Sequence, residues 1–189
     1  AVTMDVNGQA AVRIGQLAKQ SGVSRLVFAS SCSVYGFAEE EAKTESSAVN
    51  PLTAYARSKL AAEEGLSGLA SDGFIVSCLR FPTACGMSPR LRLDLVLNDF
   101  VASAIAQGRI EILSDGTPWR PIIDTKDMAR GIEWAIRRDA RLGNSFEAIN
   151  VGRDDANYRI SELAEAVARQ FPSVEVEIRR AAAPDKRSY

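Results

Sequence analysis

A short unbroken apolar run, Leu26-Val27-Phe28-Ala29, opens the most constraining part of the chain. It runs straight into Ser30-Ser31-Cys32-Ser33 and Gly36, a small-residue segment with no helical or strand period. From Pro51 the pattern becomes helical and stays so through Leu66. A second apolar run follows, from Phe74 to Arg80. Continuous apolar runs of this length suit parallel strands buried on both faces. Two such strands joined by a long helix make a βαβ unit, which is right-handed by rule. The expected fold is therefore α/β with a doubly wound parallel sheet. In such sheets ligands sit beyond the carboxyl ends of the strands, which here means Ser30 to Gly36.

The helix after Pro51 carries Tyr55 and Lys59, four residues apart and hence on one face. A free phenol titrates near 10 and is a poor base at neutral pH. A neighbouring cation favours the phenolate and lowers that value. Bringing it to about 7 takes roughly 4 kcal/mol, at about 1.36 per unit. One ammonium in a wet site falls short of that, so a second positive charge is expected to help. A hydroxyl at Ser31 is placed to hold the oxygen that gains or loses the proton.

Other chemistries fall away quickly. The chain has 189 residues and no histidine, which removes Ser-His-Asp triads and histidine zinc sites. Cys32, Cys78 and Cys85 are too few and wrongly spaced for a zinc cluster, and read as reduced thiols packed as small hydrophobes. Only Cys32, beside Ser31, is expected to line a site. A net charge of −1 argues against a nucleic-acid footprint. No apolar run reaches the roughly 18 residues of a membrane helix, and the start does not read as a signal peptide. A cytoplasmic location and no membrane partner are the expectations.

The remaining elements follow from period and punctuation. Asp5 to Gln20 reads as a helix with Ala10, Ile14, Leu17 and Ala18 inward and Gly22 as its stop. Phe37 to Asn50, with Glu39, Glu40, Glu41 and Glu45, reads as an exposed acidic loop. Pro51 is expected in the first turn of the Tyr55 helix, which should end near Gly73. Phe81 to Asp94 reads as an irregular basic loop, then a helix from Leu95 to Gln107 stopped by Gly108. Short strands are expected at Glu111 to Leu113 and at Arg120 to Asp124. Thr125 is expected to cap a helix through Arg138, with Met128, Ile132 and Ile136 inward. A buried strand at Phe146 to Val151, a helix from Tyr158 to Phe171 and a final strand over Val174, Val176 and Ile178 complete the chain.

Tyr55-Ala56-Arg57-Ser58-Lys59 resembles the Tyr-x-x-x-Lys pair of the short-chain dehydrogenase/reductase superfamily. Alone that spacing is common. Val34-Tyr35-Gly36, Asn50-Pro51-Leu52-Thr53-Ala54 and Leu79-Arg80-Phe81 through Gly86 extend the resemblance to the extended, sugar-nucleotide branch. The resemblance covers nearly the whole chain. It implies a Rossmann-like fold, an NAD cofactor (with NADP left open) and a nucleotide-diphosphate sugar as substrate. Ser31, Tyr55 and Lys59 would be catalytic, and Ser30, Tyr55, Lys59, Phe81 and Pro82 would contact the cofactor. Ser33, Thr83, Arg90 and Arg120 would contact the substrate, with Arg120 on the diphosphate and Arg92 a weaker candidate beside Arg90. Residues 1–81 would form the later half of a dinucleotide-binding unit. Residues 82–189 would be mainly substrate-binding, with 120–152 returning to the sheet. The resemblance also implies a homodimer, in which the Tyr55 helix and the Asp5–Gln20 helix meet a twin, with Ala61, Ala62 and Gly65 leaving room.

Four departures refine these expectations. Thr83 stands where many relatives have Asn, and Asp124 where many have His. Cys32 and Ser33 replace the acidic residues of the sugar dehydratases, so an epimerase or a ketoreductase is favoured over a dehydratase. No Gly-x-x-Gly-x-x-Gly follows a strand. The chain is therefore expected to be a fragment without the phosphate loop, and to bind a dinucleotide weakly or not at all. A non-catalytic binding protein with the same fold is the alternative.

Overall fold

The computed structural model describes residues 2–37, 42–139 and 145–178. The expected acidic residues Glu39, Glu40 and Glu41 lie outside the described residues. Met4–Gln9 forms a π-helical segment that continues into α1 (Ala10–Gln20). The first strand is β1 (Arg25–Ser31), followed by a 3₁₀ turn over Cys32–Tyr35. Then come α2 (Ala54–Ser67) and β2 (Ile75–Phe81). β3 (Thr83–Cys85), α3 (Val96–Gln107), β4 (Arg109–Ile112) and β5 (Trp119–Asp124) follow. The chain closes with α4 (Thr125–Arg137), β6 (Phe146–Asn150), β7 (Asn157–Arg159), α5 (Ile160–Ala168) and β8 (Glu175–Ile178).

The central sheet is parallel, in the order β1-β2-β6. The three apolar runs around Leu26, Ile75 and Ile149 are thus neighbours, as expected from alternating strands and helices. Side-chain alternation splits the two faces. Leu26, Phe28, Val76 and Cys78 pack with Leu66 of α2, whereas Val27, Leu79 and Phe81 pack with Met128 and Ala135 of α4. Helices therefore cover both faces, and the fold is the Rossmann-like doubly wound α/β sheet. A second sheet joins β3, β5 and β7, and a third pairs β4 with β8. The β4/β8 pair, α3 and α5 enclose a separate core of Phe100, Ile110, Ile112 and Leu163.

Several local expectations need correction. β1 is only half-buried, because among the described residues it pairs on the β2 side alone, and β2 takes the central position. β6 is also half-buried, as the strand on the other edge of that trio. Pro51 lies before α2 and not in its first turn; Thr53 caps the helix, its Oγ1 accepting from the backbone N–H of Ala56 at 3.0 Å. α2 stops at Ser67, short of Gly73. Asp124, not Thr125, caps α4, accepting from Lys126 N at 2.7 Å. Ile132 and Ile136 on α4 are exposed, as are Ile14 and Leu17 on α1. On α1 the buried position is Gly15, against Leu66 and Leu69. The loop after Phe81 contains β3, paired in parallel with β5. Tyr158 belongs to β7 and not to the helix. No helix among the described residues is long and apolar enough to cross a membrane.

Candidate active site

β1 and β2 run in register, so Ser31 lies opposite Phe81 at the carboxyl end of the sheet. The chain leaves β1 in a 3₁₀ turn that Ser31 itself caps. Its Oγ accepts from Ser33 N at 3.2 Å and from Ser33 Oγ at 2.9 Å. Ser31 and Ser33 are thereby brought together, and Ser31 is held at 8% exposure.

Tyr55 lies in the first turn of α2 and is 45% exposed. One turn on, Lys59 Nζ lies 5.4 Å from the Tyr55 ring centroid and 4.8 Å from that of Phe28. It donates to the carbonyl oxygen of Ala29 at 2.8 Å. Burial lowers the Lys59 pKa below its usual value. The helical spacing thus delivers the phenol–ammonium pair, and Lys59 carries it to the strand that ends in Ser31. Arg92, the weaker candidate beside Arg90, is exposed in the loop before α3. Arg92 is itself paired with Asp94, through Nε at 2.6 Å and Nη2 at 2.7 Å. That hydrogen-bonded guanidinium pulls the Asp94 carboxyl down to about 2.

A cavity of about 390 Å³ opens beside this strand end. Cys32, Tyr35, Lys43, Pro82, Trp119 and Asn150 are among its lining residues. Ser31, Tyr55 and Lys59 stand outside that lining; Pro82 and Cys32 are the expected residues that reach it. Burial pushes the Cys32 thiol up to about 12, with Arg80 opposing. Its Sγ donates to Arg80 O at 3.2 Å, so it is an inert wall and not a nucleophile. Thr83 is in β3, and Arg90 is exposed in the loop before α3. Arg120 is 7% exposed in β5, between Trp119 and Pro121, which do line the cavity. Trp119 is stacked by Arg159, whose guanidinium carbon lies 4.7 Å from its ring centroid.

The sequence reading missed a buried polar group behind this site. Glu63 of α2, Arg80 of β2, Tyr35 and Asn150 are joined by hydrogen bonds. Two signals were legible. Glu63 repeats the spacing of Tyr55 and Lys59, and Arg80 is a charge inside an apolar strand, which requires a partner.

Comparison with known proteins agrees with this architecture. Residues 1–152 match the model of the NAD dependent epimerase/dehydratase family, and the chain belongs to that family. An uncharacterised UDP-glucose epimerase of Bacillus subtilis is 30% identical over 148 residues, which is 77% of this chain and 45% of that protein. A UDP-glucose 4-epimerase of Streptomyces lividans is 30% identical over 167 residues, covering 79% of this chain and 48% of its own length. The solved structure of MoeE5 in complex with UDP-glucuronic acid and NAD superposes with a TM-score of 0.82 at 29% identity, covering 96% of this chain and 60% of that one. The chain spans about half the length of the curated relatives it matches.

Proposed function

We propose that this chain carries the proton-transfer half of an NAD-dependent epimerase acting on a nucleotide-diphosphate sugar. The observation that carries the reading is the Tyr55–Lys59 pair, anchored through Ala29 to the strand that ends in Ser31. The relatives with UDP-sugar epimerase names and the structure holding both a UDP-sugar and NAD support the substrate class.

The residues present fit the nicotinamide end of the cofactor. Lys59 is aimed along β1, and Phe81 and Pro82 close the neighbouring strand end. Lys59 and Tyr55 would hold the nicotinamide ribose, with Ser30, Phe81 and Pro82 beside the ring. When bound, the dinucleotide supplies a reversible hydride acceptor. Tyr55 takes the proton from the sugar hydroxyl as that carbon is oxidised, and returns it after the sugar has turned over. Ser31 hydrogen-bonds the same oxygen. Lys59 stabilises the phenolate that takes the proton and that forms again when the proton is returned. Arg120 and Arg90 are the candidates for the diphosphate, and Ser33 and Thr83 for the sugar. Net reduction of a keto sugar would use the same residues.

Residues 1–81, with 120–152 returning to the sheet, form the cofactor side in this reading, and the rest of 82–189 forms mainly the substrate side. The exposed Val6, Ile14 and Leu17 along the first helix support a homodimer. The free cysteines fit a reducing compartment such as the cytoplasm.

Steady-state kinetics with several nucleotide sugars on the full-length enzyme test the proposal. Tyr55→Phe is expected to lower kcat by roughly 10²–10⁴ while binding of the sugar nucleotide changes little. Full turnover by Tyr55→Phe would sink the catalytic assignment and favour a binding protein.

A further inference from the structure

Glu63 lies two turns beyond Tyr55 and one beyond Lys59, so the three share a face of α2. Tyr55 is exposed, but Glu63 is only 3% exposed. A carboxylate at such a depth needs a full set of partners. Arg80 supplies a fork: Nε donates to Oε1 at 3.0 Å and Nη2 to Oε2 at 2.6 Å. The Ser30 hydroxyl donates to Oε1 as well. Arg80 Nη1 then donates to Tyr35 Oη at 2.8 Å, and Tyr35 donates to Asn150 Oδ1 at 2.7 Å. Asn150 in turn holds the cavity rim. Its Nδ2 donates to Lys43 O at 3.2 Å, and its backbone N–H to Glu45 Oε1 at 2.8 Å.

These bonds join α2, β1, β2, the 3₁₀ turn, β6 and the loop at 43–45. A buried ion pair is a weak source of stability, because desolvation offsets most of the attraction. A bidentate fork does restrict geometry, since a planar guanidinium meets a carboxylate in few orientations. We infer that Glu63 and Arg80 are a positioning pair, holding the Tyr55–Lys59 face of α2 in register with Ser31 and with the cavity rim at Asn150. The inference rests on the reading of Ser31, Tyr55 and Lys59 as the reacting site. Neither member of the pair touches substrate; both act through where they place the phenol. A misplacement of about 1 Å is enough to cost roughly 10²-fold in rate.

The decisive variant replaces both charges together, Glu63→Leu with Arg80→Met. Removing one alone strands its partner and risks unfolding, whereas swapping a whole buried pair for apolar residues is often neutral for stability. In the full-length enzyme the double variant is expected to lose about 10- to 100-fold in kcat, with KM little changed. A second readout needs no turnover. In this chain labelled with ¹³C at tyrosine Cζ, the Tyr55 titration (assigned with Tyr55→Phe) is expected to move to higher pH as Lys59 slips from its ring. A folded double variant with wild-type kcat, or with an unmoved Tyr55 titration, overturns the inference. If the double variant does not fold, Tyr35→Phe decides, because it removes only the hydroxyl that joins Arg80 to Asn150. A several-fold loss of kcat at constant KM supports the inference, and wild-type kcat overturns it. Because the titration is independent of catalysis, failure of the enzymatic reading and failure of this one are distinguishable.

Discussion

Lys59 Nζ donates a 2.8 Å hydrogen bond to the backbone carbonyl of Ala29, two residues before Ser31. One bond thus ties the helix bearing the phenol to the strand bearing the hydroxyl. Lys59→Met removes both this tie and the ammonium beside the Tyr55 ring. The acidic limb of the kcat/KM pH profile is expected to shift to higher pH, because a phenol without that cation ionises later. An unshifted profile in a folded Lys59→Met enzyme would show that this ammonium does not set the Tyr55 charge.

Gly65 of α2 faces Val12 of α1, and a Cβ at position 65 would overlap the Val12 side chain. This gap was expected to admit a twin subunit; the chain's own first helix fills it, and Ala62 beside it is fully buried. Val is stiff at χ1 and cannot swing away cheaply. Gly65→Ala is therefore expected to destabilise by about 1–3 kcal/mol. That is despite the gain of roughly 1 kcal/mol in helix propensity. Urea unfolding measures it, and adding Val12→Ala should restore much of the loss.

Alkaline pH should weaken the fold through its thiols. Burial raises Cys32 and Cys78 from 9.0 to about 12. Between those values the unfolded chain has released protons that the folded chain still holds. Stability is therefore intact below about pH 9 and falls as the pH rises towards 12. Lys59 acts in the opposite direction: its folded pKa is lowered, so it adds stability as pH climbs towards its ordinary 10.5. Replacing Cys78 with Ala should flatten the fall seen in denaturation at several pH values. Alkylation followed by mass spectrometry should modify Cys85 before Cys32 and Cys78, since the two thiols pushed up to about 12 form little thiolate.

Arg120→Ala tests substrate anchoring separately from proton transfer. If Arg120 holds the diphosphate, KM for the nucleotide sugar rises while kcat changes less, as when uniform binding is lost. Because Arg120 is 7% exposed, the melting temperature of the variant must be measured beside its kinetics. A lower melting temperature with unchanged KM would assign Arg120 to the packing of β5 on β7.

Periodicity and residue order made much of this protein legible. The runs at Leu26 and Ile75 are legible as strands because short continuous apolar runs suit parallel strands covered on both faces, and the run at Ile149 pairs beside them. Tyr55 and Lys59 share a face because a helix repeats every 3.6 residues. These are local properties, and a sequence carries local properties directly. The tertiary structure decided the rest. Ile14 and Ile132 have core-like periodicity yet are exposed, because which helix face is covered depends on elements remote in the chain. β3 and β7 are three residues each, too short for a period, and exist through pairing with β5. Glu63 and Arg80 are ordinary charges in the sequence; they become a buried pair only when α2 packs on β2, which sets two oppositely charged groups 2.6 Å apart, away from water.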